Sequence, residues 1–135
     1  MAKKQKVIHQ SGKRKSAVAR ATLKPGKGYV SINNTSIDAF EPKMIKNKIR
    51  EPLVLAGDTA SKVNIEVNVK GGGISSQGDA VRLAVAKTLA EYDSKLKDIY
   101  LDYDRQLLVA DVRRKETSKP NSQGNARAKR QKSYR

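Results

Sequence analysis

Across residues 63–92 the hydrophobic pattern changes its period once, over three consecutive glycines, and that change commits the chain to a mixed fold in which a strand feeds a helix. In Val63-Asn64-Ile65-Glu66-Val67-Asn68-Val69, β-branched apolar residues alternate with polar ones. Side chains of a strand point alternately to opposite faces, so Val63, Ile65, Val67 and Val69 form the apolar face of a half-buried strand. Gly71, Gly72 and Gly73 end it, because residues without a Cβ take positive φ and let the backbone turn sharply. Ser76-Gln77-Gly78-Asp79 has the spacing of a capping box, which predicts a helix beginning there. Val81, Ala84, Val85, Thr88, Leu89 and Tyr92 then fall on one helical face and Leu83, Ala86 and Ala90 on a second, so this helix is expected to be buried on more than one side.

Upstream, Lys13-Arg14-Lys15 is a basic cluster after Gly12, and Ser16 to Leu23 can continue as a strand. Lys24-Pro25-Gly26-Lys27-Gly28 has turn chemistry, and Tyr29-Val30-Ser31-Ile32 reads as the returning arm of a hairpin closed by Asn33-Asn34. Asp38 to Arg50 predicts a short amphipathic helix, with Pro42 in its first turn and Phe40, Met44, Ile45 and Ile49 toward the core. Glu51 to Ala56 reads as another apolar turn or helix, stopped by Gly57. Ser94 to Tyr103 predicts a further helix carrying Leu96, Ile99, Tyr100 and Tyr103 on one face, and Leu107-Leu108-Val109-Ala110 is the last apolar run. The expected class is α+β, with one globular domain over residues 1–111 that includes a basic N-terminal segment. Residues 112–135 are expected to be an extended basic tail, since Val112, two alanines and Tyr134 are their only apolar side chains and cannot offset the entropy of ordering.

Charge is distributed as unevenly as hydrophobicity. The formal net charge is +16, and residues 1–24 hold eight of the basic side chains with no acid. Residues 112–135 hold nine against the single Glu116, which leaves residues 25–111 neutral. Solubilising charge scattered over a surface would not leave the middle at zero. A neutral body with two cationic ends is the layout of a protein that folds on its own core and grips a polyanion with its extremities.

Other functions lack their residues. There is no cysteine, so disulfide frameworks and thiolate zinc sites are excluded, and the single His9 builds neither a metal site nor a hydrolase triad. Asp98, Asp102 and Asp104 read as ordinary surface acids. Gly71-Gly72-Gly73 lacks the spacing and the lysine of a nucleotide loop. No apolar run approaches a membrane span, the N-terminus lacks the apolar core of a signal peptide, and the chain reads as cytosolic.

Five motifs in order, spanning essentially the whole chain, carry a resemblance. Gly12-Lys13-Arg14-Lys15-Ser16-Ala17-Val18-Ala19, Glu51-Pro52-Leu53, Lys70-Gly71-Gly72-Gly73, Tyr103-Asp104-Arg105 with Leu107 to Asp111, and the ending Ala126 to Arg135 together resemble the universal small-subunit ribosomal protein nine family. The ending Gln131-Lys132-Ser133-Tyr134-Arg135 is similar to the archaeal and eukaryotic branch, and the short N-terminus favours the archaeal one. The resemblance implies a ribosomal S-five domain-two-like fold and a noncatalytic place in the head of the small subunit, with neighbouring head proteins as partners and no cofactor, membrane or homo-oligomer. It also implies a tail that threads through rRNA to the anticodon stem-loop of peptidyl-site tRNA. On these grounds Lys13, Arg14, Lys15, Arg20, Arg113, Arg114, Lys115, Lys119 and Arg127 are candidates for rRNA contact. Lys129, Arg130, Lys132, Ser133, Tyr134 and Arg135 are candidates for tRNA contact. A general nucleic-acid architectural protein shares the charge layout and stands as the alternative; a small enzyme of a related fold would need a pocket with perturbed carboxylates.

Overall fold

The computed structural model describes residues 7–40, 42–121 and 126. Among these residues the fold is α+β, with five strands in one sheet and three α-helices. The strands are β1 (Ile8–Arg14), β2 (Ala17–Pro25), β3 (Val30–Ile32), β4 (Thr35–Ser36) and β5 (Val63–Lys70), in the spatial order β1-β2-β5-β3-β4. The helices are α1 (Lys43–Ala56), α2 (Ile74–Tyr92) and α3 (Lys95–Tyr103).

β5 is the centre of the sheet, as its alternation implies. Val63, Ile65, Val67 and Val69 are all buried, and the strand pairs antiparallel with β2 and parallel with β3. This corrects the expected hairpin. β2 and β3 do flank the Lys24–Gly28 turn, yet β5 lies between them and takes both sets of backbone partners. Asn64 closes that connection, its Oδ1 accepting from the backbone amides of Lys27 and Tyr29 at 3.0 Å each. Asn33, at φ 49°, docks its side-chain amide onto the backbone of Val69 in the manner of one more strand residue.

α2 lies across the buried face of β1, β2 and β5, with α1 beside it. It is buried on two sides, at Val81, Ala84, Val85, Thr88 and Leu89 and again at Leu83 and Ala86. It begins at Ile74, two residues before the capping-box position; Gly73 is the N-cap and no side chain caps it. The positive φ of Gly71 and Gly72 completes the turn early, and Gln77 reaches back to the Gly71 carbonyl at 3.0 Å.

The segments expected over 38–50 and 51–57 form one helix only from Lys43 onward, because Ile37–Ala39 is a separate 3-10 turn and Pro42 is the N-cap of α1 rather than a residue of its first turn. α1 runs through Pro52 and stops at Gly57, whose φ of 57° returns its amide to Leu53 and Val54. Proline removes one helical hydrogen bond, a cost the tertiary contacts absorb. Pro52 is buried, and the Tyr100 hydroxyl donates to its carbonyl at 2.8 Å. Burial raises the Tyr100 phenol above its ordinary value, with Asp93 adding to the shift, so the hydroxyl stays a donor. Ile45 and Ile49 face the core as expected, Phe40 is half-buried, and Met44 points to solvent. On α3 the buried pair is Leu96 and Tyr100, whereas Ile99 and Tyr103 are exposed.

Candidate nucleic-acid interface

Two remote stretches of sequence form one cationic surface. The β1–β2 connection is a tight turn in which Arg14 pairs with Ala17 and Lys15 takes φ 53°. It presents Lys13 and Lys15 to solvent. Residues 112–119 form no helix or strand, are exposed throughout, and begin alongside this turn. Lys15, Ser16, Arg113, Arg114 and Lys115 line an open cavity of about 640 Å³ between them. Four cations around a solvent-filled hollow attract polyanion, and a guanidinium there offers a forked donor to phosphate.

Asp111 holds the two stretches together. Its carboxylate forms an ion pair with Arg14 and accepts from the Arg113 backbone amide at 2.9 Å and from the Arg113 guanidinium at 2.7 to 3.1 Å. These bonds from Arg113 hold its carboxyl far below the usual carboxylate range, and the Arg113 guanidinium is raised in turn. The other side of Arg14 faces Asp79 at 3.8 Å, and Asp79 also meets Lys48 at 3.7 Å.

The candidate residues therefore divide. The Arg14 side chain, 17 % exposed between two carboxylates, is a strut between strand and tail. Arg113, 77 % exposed, is aimed outward by the same carboxylate and keeps donors for a phosphate. Lys119 pairs with Glu116 at 2.8 Å. Arg127, Lys129, Arg130, Lys132, Ser133, Tyr134 and Arg135 lie outside the described residues.

Arg20 belongs to a second surface. The sheet face opposite the helices carries exposed His9, Ser11, Lys13, Arg20, Asn68 and Lys70. Register sets Arg20 beside Asn68 and Val18 beside Lys70, with Lys13 on the far side of Val18. Val18, Arg20, Asn33, Asn68 and Lys70 line a hollow of about 470 Å³. Lys70 and Asn68 were not among the candidates. The signal was present in the alternation of β5, whose polar face had to share one side of the sheet with Arg20 once the strands paired.

A pH test follows from Asp111. A carboxylate whose folded pKa is depressed contributes stability that is complete above its unfolded value and drains as pH falls through the folded one. The urea midpoint is therefore expected to fall on acidification below about pH 4, and Asp111→Asn to remove about one proton from that slope. Trypsin is also expected to cut faster at Arg113 to Lys115 in the variant. An unchanged slope with unchanged cleavage would show that Asp111 does not fasten the tail.

Among the described residues no three His, Asp or Glu side chains cluster as metal ligands, and no helix is long and apolar enough to cross a membrane.

Known proteins resemble the chain along nearly its whole length. The profile of the family described as ribosomal protein S9/S16 matches residues 12–135. Small ribosomal subunit protein uS9 of Methanococcus maripaludis is 51 % identical over 133 residues, covering 96 % of this chain and 99 % of that protein. Its counterparts from Methanococcus vannielii and Methanothrix thermoacetophila are 49 % and 48 % identical, each covering 96 % of this chain and 99 % of their own. With about half of all positions identical across nearly the full length of both partners, and the basic turn and tail inside the match, the chain belongs to the uS9 family of small ribosomal subunit proteins.

Proposed function

We propose that the chain is a structural, noncatalytic rRNA-binding constituent of the small-subunit head in the cytoplasm, and that its last residues contact the anticodon stem-loop of peptidyl-site tRNA. The observation that carries the rRNA half is the joining of the Lys13–Lys15 turn and the Arg113–Lys115 segment into one surface by Asp111. Phosphate contacts of this kind give affinity and register with little sequence readout, which suits a protein that holds one place in a large RNA. The folded body fastens Asp111 and Arg113 at the base of the tail, and the six basic residues from Lys119 to Arg135 extend the same chemistry along the sequence. A narrow cationic segment enters a crevice between RNA helices that a folded domain cannot, which supports placing Lys129, Arg130, Lys132 and Arg135 at the tRNA.

The test is sedimentation of a native lysate at moderate and then high salt, with this chain followed across the gradient. Stoichiometric co-migration with small subunits at both salts is expected. In subunits whose chain ends at Gln131, peptidyl-site tRNA is expected to dissociate several-fold faster while the chain stays bound. Loss from the subunit at mild salt would favour the general nucleic-acid architectural protein; unchanged tRNA retention would remove the tail contact.

A further inference from the structure

The hollow on the open side of the sheet is lined differently from the one at the basic turn. At the turn, Arg14 and Arg113 are already held by Asp111. On the sheet, Arg20, Asn68 and Lys70 are exposed, and among the described residues none of the three side chains has a hydrogen bond or an ion pair. Half-buried Val18 adds an apolar patch beside them. Asn33 is a fixed wall, since its amide is bonded to the Val69 backbone at 2.9 and 3.2 Å. The hollow they enclose, about 470 Å³, lies in the range that takes a small ligand. Free cations account for attraction to phosphate, but not for a free amide between them. An Asn side chain presents a donor and an acceptor side by side, the pattern that meets the edge of adenine, and an Arg plane stacks on a base that has left its helix.

We propose that this hollow takes one unpaired adenine nucleotide of RNA, with its base edge on the Asn68 amide, its face against Arg20 and Val18, and its phosphate on Lys70. Nucleic acid is the occupant because the surface is continuous with the basic turn through Lys13, which stands across Val18 from Lys70. Glu66, the next position of β5 on this side beyond Asn68, is the only acid in β1, β2 or β5. A second copy would set the same cations against one another. A base still paired in a helix cannot turn its face to Arg20, so the ligand is single-stranded. The inference rests on the RNA-binding role proposed above, and adds to it a site that reads a base where the turn and tail supply charge.

The probes are short oligouridylates carrying A, C, G or U at the centre, titrated into the full chain at fixed salt, with heparin as a polyanion that has no bases. The A-centred strand is expected to bind about tenfold tighter than the other three. Asn68→Ala is expected to erase that preference while leaving the salt slope and the heparin affinity unchanged. Lys70→Ala is expected to weaken every strand alike and to lower the slope by about 0.7. In two-dimensional NMR the Asn68 side-chain amide is expected to shift with the A-centred strand and far less with heparin, which separates this hollow from the Arg113–Lys115 segment. Equal affinity for the four strands, tightest binding of another strand, a preference that survives Asn68→Ala, or an Asn68 amide that does not respond would overturn the inference alone. Failure of every strand and of heparin to bind would overturn the RNA-binding reading as well.

Discussion

Deleting residues 116–135 is expected to lower affinity for small-subunit rRNA about a thousandfold at about 0.1 M salt, while the thermal midpoint of the remaining chain stays within about 2 °C. The deletion removes Lys119, Arg127, Lys129, Arg130, Lys132 and Arg135 with one acid, Glu116, and spares the Asp111–Arg113 fastening. Each phosphate neutralised on a single strand adds about 0.7 to the slope of log affinity against log salt. Five or six lost contacts therefore flatten that slope by about 4. Stability is spared because, among the described residues, the hydrophobic core ends at Leu107 and the half-buried Leu108. Substituting Lys15, Arg114 and Lys115 together by alanine serves as a scale, with an expected slope change of about 2. Filter binding across salt, together with calorimetry of the same proteins, provides the check. A slope change below about 1, or a melting point that falls with the tail, would mean the basic segment is part of the fold rather than its grip on RNA.

The parts of the fold that were legible in the sequence share one reason. A strand that alternates strictly and a helix with apolar residues at helical spacing are both signals written in adjacent residues. β5, α2 with its two buried faces, α3 and the stop at Gly57 were found in this way. What escaped depends on residues far apart. Nothing near Tyr29–Ile32 announces that a strand thirty residues later takes the place beside β2, because turn chemistry describes only the turn. The break suggested by Pro52 is overruled from α3, through the Tyr100 hydroxyl. At the site, the charge of Lys13, Lys15 and Arg113–Lys115 could be counted, but not the carboxylate that fastens them or the internal use of Arg14. Lys70 was hidden differently, on the polar face of a strand whose alternation marks only which side is buried.

β1 left the weakest trace of all, and its reason supplies the second large effect. Its inward residues are Ile8, half-buried Gln10 and Gly12, so the alternation that marked β5 is missing. Gly12 is where β1 presses against α2. A Cβ there would strike the Ala80 carbonyl and lie 2.7 Å from the Ala84 nitrogen and 3.1 Å from the Leu83 Cβ. The first two are helix backbone, which cannot swing aside as a side chain would. β1 cannot retreat easily either, since Gly12 is paired with Ala19 and β2 is held in turn by β5. Gly12→Ala is therefore expected to destabilise the chain by about 3 kcal/mol, the upper end for overpacking, and to lower the thermal midpoint by about 10 °C. Gly73→Ala is the contrast, because a Cβ there meets nothing within 4 Å, and its effect is expected to stay within about 1 kcal/mol. Calorimetry of the two variants separates close approach from the general entropy cost of adding a side chain. Since Lys13, Arg14 and Lys15 follow Gly12 directly, the displaced strand is also expected to shift the basic turn from the tail base and weaken rRNA binding even where the variant remains folded. A Gly12→Ala protein with unchanged stability and unchanged affinity would show that β1 and α2 can part without consequence, and that their contact does not set the position of the basic turn.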